Sequence, residues 1–351
     1  MADKTKIEWT EASWNPVVGC SVVSPGCTNC YAMKFARRLL DKPWSHYHGT
    51  TREVNGNAVW TGELALAPER ILTQPLRWKR PRRIFVNSMG DLFHEDVPDE
   101  WINKVFAVMA MSTQHTFQIL TKRPERMREY MSKLLNEMQA SWNIIKFLLS
   151  GVTPPEEIIT DWPLPNVWLG VSVEDQARAD ERIPLLLQTP AALRFISCEP
   201  LIGPVDLWCV PSDHRGKRNA LSQYSYCELC GEDSGLPKLD WVIVGGESGP
   251  DARPMHPDWV CLIRDQCSAA SVPFFFKQWG EWAPLLPEHE GRRDWMILDS
   301  GGGLDIPDDR WPDETQGEIA VVKVGKHAAG RTIDGREWNQ MPGAEEEENN
   351  D

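Results

Sequence analysis

The stretch Trp241-Val242-Ile243-Val244-Gly245-Gly246-Glu247-Ser248 decides the fold. Four apolar residues, three of them β-branched, run without alternation and break off into glycine and charge. An unbroken run of this length fits a strand buried on both faces, as in a parallel sheet; a strand with one wet face would alternate. The same signature recurs along the chain. Ile84–Val86 leads into Asn87-Ser88-Met89-Gly90-Asp91, and Phe117–Leu120 into Thr121-Lys122-Arg123. Val167–Val171 leads into Ser172-Val173-Glu174, Leu193–Ile196 into Ser197-Cys198-Glu199, and Phe274–Phe276 into Lys277-Gln278. Helical patterns lie between most of them. Pro98-Asp99-Glu100-Trp101 opens a run to Met111, with proline in the first turn and acids beside it. Pro124 opens another to about Met138, and residues 174–188 and 257–270 carry two more. This alternation predicts an α/β fold: a full or partial TIM-like (β/α) barrel over residues 1–283, with one or two further strands near the N-terminus. A doubly wound open sheet is the alternative. In a barrel the strand C-termini carry the chemistry, which makes Asp91, Lys122, Glu174, Glu199, Glu247 and Lys277 a candidate mouth.

The barrel pattern is interrupted by residues 206–239, a polar stretch that reads as an insertion, and is followed by an extension over residues 284–342 with strand signals at Ile319–Val324. Residues 343–351, GAEEEENND, read as a disordered acidic tail. The 351-residue chain carries a net charge of −14, most of it at the C-terminus: residues 284–351 hold 17 acids against 7 bases. A globally basic nucleic-acid binder is excluded, whereas a local basic groove is not. One basic stretch stands out. Arg70, Arg77, Lys79, Arg80, Arg82 and Arg83 fall among residues 70–83, which contain no acid and include Trp78. It suits a nucleic-acid backbone or, equally, a solvated turn before a strand. The N-terminus, MADKTKIEWT, has no apolar h-region, and no apolar run approaches bilayer length, so no membrane span and a cytoplasmic location are expected.

An odd count of nine cysteines without a secretory signal argues for metal rather than disulfides. The strongest cluster is Cys20-x6-Cys27-x2-Cys30, with Gly19, Pro25 and Gly26 to turn the backbone and a helical run, Tyr31–Leu40, directly after. Three thiolates with no fourth nearby fit a 4Fe-4S cluster that keeps one iron open for chemistry. Two other readings stay open: a structural zinc completed by His46 or His48, and three buried free thiols. In the insertion, Cys227-x2-Cys230 with Cys209 and His214 upstream could close a tetrahedral zinc site. A polar segment of this length has little apolar surface to bury, so metal would supply its order.

The sequence resembles a phage- and prophage-borne family of unknown function, the gene-thirty-seven/gene-sixty-eight-like three-cysteine-motif group. The resemblance rests on Ile7–Thr10, Trp14–Pro16, the Cys20–Cys30 loop, Asp91–Trp101, Leu120–Arg126, Trp168–Ser172, Cys198–Leu201, Val244–Gly249, Ala252–His256 and Phe275–Gly280. That family is similar in turn to radical S-adenosylmethionine (SAM) enzymes, whose loop is C-x3-C-x2-C with an aromatic before the last cysteine. Here the first gap is three residues longer, Asn29 precedes Cys30, and Tyr31 follows it. The Gly-Gly-Glu that helps hold SAM normally comes one strand after the cysteines. Here it is the late Gly245-Gly246-Glu247, and Ser88–Asp91 takes the earlier place.

The resemblance implies a radical-SAM-like barrel in which Cys20, Cys27 and Cys30 bind three irons and SAM chelates the fourth. One electron from a reductase- or flavodoxin-type donor would cleave SAM to a 5′-deoxyadenosyl radical. It implies that Ser88, Asp91, Ser172, Glu174, Gly245, Gly246 and Glu247 surround the cofactor, the glycines by close backbone approach and the carboxylates by accepting from ammonium or ribose. Lys122, Glu199 and Lys277 would act at the reacting centre, the lysines facing a carboxylate or phosphate. The substrate class it suggests is nucleic acid or nucleotide. The competing reading is a non-enzymatic, metal-stabilised phage protein that binds nucleic acid or a partner protein.

Overall fold

Seven strands form one sheet: β1 (Ala12–Trp14), β2 (Arg83–Val86), β3 (Thr116–Thr121), β4 (Val167–Ser172), β5 (Leu193–Cys198), β6 (Trp241–Gly245) and β7 (Phe274–Gln278). Their hydrogen-bonded order is the chain order, β1 through β7. A doubly wound sheet turns back at a switch point; this order does not, and that alternative falls. The pairs β1–β2, β2–β3, β3–β4, β5–β6 and β6–β7 are parallel. The architecture is therefore mixed α/β with a seven-stranded sheet in the sequential order of a partial (β/α) barrel. The structure is a computed structural model and describes residues 5–40, 42, 45–136, 161–212, 216–227, 231–233, 235–285, 295–305 and 312–343. The acidic tail beyond residue 343 lies outside them.

The helices fall where the periodicity placed them: α1 (Tyr31–Leu39), α2 (Asp99–Met111), α3 (Pro124–Asn136), α4 (Gln176–Gln188) and α5 (Pro257–Ala269). Pro98 is the N-cap of α2 and donates nothing, so its missing N–H costs nothing there. Asp99 and Glu100 fill the first turn, where the helix dipole favours acids.

The chain divides into two compact units. One comprises Met1–Ser172 with Arg182–Arg194, the other Val173–Glu181 with Phe195–Asp351. In the first, Trp14 and Phe117 pack 5.8 Å apart between β1 and β3, and Ile84, Val86 and Ile119 are fully buried beside them. In the second, Phe195 and Trp241 pack 5.7 Å apart over β5 and β6, with Phe274 and Phe276 of β7 wholly buried. The second unit also holds a four-stranded antiparallel sheet from Trp282–Pro284, Trp295–Asp299, Leu304–Asp305 and Glu318–Lys323. It contains two small hairpins as well, Val210–Ser212 with Gly216–Arg218 and Ser225–Cys227 with Gly231–Asp233.

Those hairpins belong to the 206–239 segment. Leu207, Val210, Ala220, Leu221 and Leu239 are all buried. The segment's few apolar side chains are thus buried and anchor it, against the expectation that they are too few to give it a core. No described helix is long and apolar enough to cross a membrane.

Candidate metal centre

The cysteine loop begins where β1 meets the segment after β2. Asn15 accepts from the Ser88 hydroxyl at 3.1 Å and the Met89 amide at 3.0 Å. Asn87, at φ 61°, accepts from the Val17 amide at 3.2 Å. Gly19 then bridges to Gly90. A Cβ on Gly19 would lie 2.1 Å from the Glu63 carbonyl oxygen, and one on Gly90 would lie 2.8 Å from the Gly19 carbonyl oxygen. Only glycine lets these backbones approach, so the pair fixes where Cys20 leaves the sheet. A 3-10 turn over Pro25–Cys27 follows, and Cys30 is the N-cap of α1. Tyr31 returns to the same segment by donating to the Ser88 carbonyl at 3.0 Å.

Two of the three sulfurs have a polar partner within hydrogen-bond reach. Arg123 Nη1 donates to Cys20 Sγ at 3.7 Å, and the Ser24 hydroxyl lies 3.8 Å from Cys27 Sγ. Cys30 makes no side-chain cap hydrogen bond, although the amides of Met33 and Ala32, at the start of α1, lower its pKa. Burial, helped by the Asp91 charge, pushes the Cys20 thiol up to about 12, and Arg123 pulls against it. Burial raises Cys30 as well, offset by the two amides and, more weakly, by Lys122. The Cys27 charge acts on both neighbours. Cys20 and Cys30 border a small apolar cluster of Val18, Ala32, Met33, Ala36, Tyr47, Trp60 and Met89, which shields that side from water.

This donor set fits an iron–sulfur cluster in kind: three soft sulfurs on one loop, one of them held by an arginine N–H, on an apolar flank. Among the described residues no three His, Cys, Asp or Glu side chains are brought together as a ready ion shell. His46, the nearby zinc candidate, has both ring nitrogens buried without a hydrogen-bond partner.

Arg123, directly after β3, organises the surroundings. Its Nε donates to Glu95 at 2.5 Å, and NH1 to Asp91 at 3.0 Å and to Cys20 Sγ; NH2 donates to the Ser21 carbonyl at 3.4 Å and the Ser21 hydroxyl at 2.7 Å. Asp91 is equally committed. One oxygen accepts from the Phe93 amide at 3.0 Å and the Thr121 hydroxyl at 2.7 Å; the other accepts from the Lys122 amide and Arg123 NH1, each at 3.0 Å. Four donors fill its four lone-pair sites, so the expected hydrogen bond from a bound cofactor to Asp91 has no acceptor left.

His94 is buried in the same network. Its Nδ1 accepts from the Asp96 amide at 3.1 Å, so Nε2 carries the proton and donates to the Ser21 hydroxyl at 2.8 Å. That tautomer cannot take a proton from Ser21, which excludes a Ser–His nucleophile pair here. Sequence reading assigned no role to Arg123, His94, Glu95 or Ser21. The usable signal was a second cation directly behind Lys122 at a strand end, opposite a three-acid run over residues 91–96.

In the second unit the strand-end candidates pair with one another. Lys277 Nζ lies 2.7 Å from Glu199 Oε1, and Glu199 Oε2 accepts from the Ser197 hydroxyl at 3.0 Å. Gly245 makes room for that pair, since a Cβ there would lie 3.0 Å from Glu199 Oε1. Gly246 packs on the Trp279 carbonyl, whose oxygen would lie 1.9 Å from an added Cβ. Glu247 binds Arg253 through both oxygens, at 2.6 and 2.9 Å, and accepts from the Arg253 amide at 2.8 Å. Glu174 is fully buried, and the buried Ser172 gives its carbonyl to Arg182 at 2.9 Å, a contact within the first unit. The Gly-Gly-Glu run thus has structural duties of its own.

The second zinc set is only partly described. Cys209 is half-buried and free, while His214, Cys230 and the side chain of Cys227 lie outside the described residues. The basic stretch precedes β2, at the strand end opposite the cysteine loop. Arg82 stacks on Trp78 at 4.8 Å, Arg77 donates to Thr73 Oγ1 at 2.9 Å, and Arg83 pairs with Glu11 at 3.6 Å. Arg70, Lys79 and Arg80 are exposed.

No curated protein and no solved structure matches the chain. A family described as protein of unknown function (DUF5131) matches residues 4–342, which takes in the cysteine loop, both compact units' strands and the C-terminal sheet. With nearly its whole length matched, the chain belongs to the DUF5131 family.

Proposed function

We propose that the chain is an iron–sulfur enzyme of the radical-SAM type, of phage or prophage kind, built on a partial TIM-like barrel. The observation that carries this reading is the cysteine loop: Cys20, Cys27 and Cys30 on one turn at the C-terminal end of β1, beside the segments that follow β2 and β3, with Arg123 donating to Cys20 Sγ. Strand C-termini are where such folds place chemistry. The SAM part rests on the sequence resemblance. When bound, the cluster and SAM supply a 5′-deoxyadenosyl radical by one-electron cleavage of SAM, with the electron coming from a reductase- or flavodoxin-type donor.

The chain's own contributions are more specific. The three thiols would give up their protons to ligate, and Arg123 holds the Cys20 sulfur while the apolar flank keeps out water. Lys122, whose charge reaches Cys30, is the cation best placed to face an anionic group of cofactor or substrate. Glu199 and Lys277 stand as a pair that can hold or exchange a proton at Glu199 Oε1. The substrate class we favour is nucleic acid or nucleotide.

The test is anaerobic reconstitution of the full chain with iron and sulfide, followed by reduction in the presence of SAM. The reading expects a brown protein that releases 5′-deoxyadenosine, and loss of most iron in Cys20→Ala, Cys27→Ala or Cys30→Ala. A colourless protein with stoichiometric zinc would overturn it in favour of a metal-stabilised binding protein. Full iron content in the alanine variants would show that the ligands lie elsewhere.

A further inference from the structure

We propose that Arg123 is the positioning residue of the cysteine centre, holding Cys20 at its ligating place and setting the charge that a cluster there experiences. The proposal rests on the iron–sulfur reading for its electrostatic half and on geometry alone for its positional half.

The geometry is an inventory of donors. A guanidinium has five N–H groups, and Arg123 makes five contacts: Glu95, Asp91, Cys20 Sγ, the Ser21 carbonyl and the Ser21 hydroxyl. None remains for a substrate, so Arg123 is not a substrate clamp. Three of the five go to two consecutive residues, Cys20 and Ser21. The fork therefore grips the first turn of the loop from β3, a strand whose own position is fixed by its neighbours on both sides. Asp91 and Glu95 grip the fork in turn, and Thr121 fixes Asp91 through its hydroxyl. Only about 9% of Arg123 is exposed, so its charge is poorly screened. A planar fork serves five acceptors from three separate nitrogens in fixed directions, whereas a lysine ammonium has three donors on a single atom.

Two consequences follow. Without the fork, the loop from Ser21 to Thr28 loses its tie to β3 and opens more often. Without the positive charge and the N–H at sulfur, adding an electron to a bound cluster becomes harder, because hydrogen bonds to the sulfurs and net charge set its potential.

The experiment uses the full chain and two variants, Arg123→Lys and Arg123→Met, with two independent readouts. Hydrogen exchange on the metal-free protein reads position. Both variants are expected to speed amide exchange in residues 21–28 by about tenfold or more, with α2 unchanged as the internal reference. A redox titration of the reconstituted protein, followed by its electron paramagnetic resonance signal, reads charge. Arg123→Met is expected to move the midpoint to more negative potential, and Arg123→Lys to restore most of that shift while leaving the loop loose. If Arg123→Met does not fold, the split in Arg123→Lys, loose loop with near-native potential, carries the test. Native exchange rates in a folded variant overturn the positional half. An unchanged midpoint in Arg123→Met overturns the electrostatic half, as does a lysine variant that shifts fully. If the wild-type chain takes up no iron, the iron–sulfur reading has failed with the electrostatic half, and the exchange measurement still decides the positional one.

Discussion

Asp91 shows what a residue type discloses and what it hides. Its place after an apolar strand marked it as a functional carboxylate, and it does lie beside the cysteine loop. Its role is nonetheless set by donors from residues 93, 121, 122 and 123, whose convergence no local pattern announces. Arg123 was hidden for the same reason: a second cation after a strand looks like any loop residue until its acceptors are in view. The consequence can be measured. Asp91→Asn keeps shape but turns an N–H₂ towards the Lys122 amide and Arg123 NH1, leaving donors against donors in a buried site. Unfolding in urea should show a loss of about 3 kcal/mol, the cost expected for a buried, charged partner removed. Glu95→Gln should cost under about 1 kcal/mol, because Glu95 is mostly solvent-exposed and its partner keeps Asp91. Equal losses in the two variants would show that Asp91 is not the anchor.

At the scale of elements, the sequence was most informative where burial is two-sided. β2 to β7 were legible because short, mainly apolar runs that break off into polar residues have one good explanation, and α2, α3 and α5 because proline, acids and periodicity agree. β1 was anticipated only as an unspecified N-terminal strand. Its three residues, Ala12-Ser13-Trp14, are too short to show a period, and pairing with β2 creates it. The glycines at the end of β6 were legible as close-approach sites but not as to what approaches. Gly246 meets the chain's own Trp279–Gly280 backbone, a contact 33 residues away that no motif encodes. Gly246→Ala would put a Cβ 1.9 Å from a carbonyl oxygen and 2.5 Å from its carbon, neither able to swing aside. We expect about 3 kcal/mol of destabilisation or failure to fold. Gly245→Ala meets side-chain atoms alone, Glu199 Oε1 at 3.0 Å, Lys277 Cβ at 3.3 Å and Glu199 Cγ at 3.4 Å, and should cost less than Gly246→Ala, about 1 kcal/mol, while displacing the Glu199–Lys277 pair. Thermal unfolding of both variants checks the contrast, and a native Gly246→Ala protein would show that β6 does not approach Trp279.

Across the whole molecule, strand order and helix placement were open to reading, whereas the order of the 206–239 segment was misjudged, because its few apolar residues are spaced too irregularly to signal that they are buried. The sequence singled out His46, His48 and His214 as ligand candidates and marked nothing at three other histidines, which the fold uses as neutral polar struts. His94, His115 and His256 are buried, and burial lowers the pKa of each below 6.5. Their contacts explain why protonation is unwelcome. His256 Nδ1 caps α5 by accepting from the Asp258 amide at 3.1 Å, and a proton there abolishes the cap. His94 Nδ1 accepts from the Asp96 amide in the same way, and His115 Nδ1 is buried with no partner among the described residues to receive a new N–H. The unfolded chain therefore binds more protons than the folded one once the pH drops below about 6.5, so stability is fully present above that value and falls as the pH falls through the lowered native pKa values. At pH 5.5 each histidine can remove at most about 1.4 kcal/mol. Urea unfolding at pH 7.5 and 5.5 should show this decline before the carboxylates begin to titrate. His256→Asn should reduce it, because asparagine caps a helix without titrating. A stability that does not change between the two pH values would mean that the folded protein accepts these protons as readily as the unfolded chain, and that none of the three histidines is the neutral strut its contacts describe.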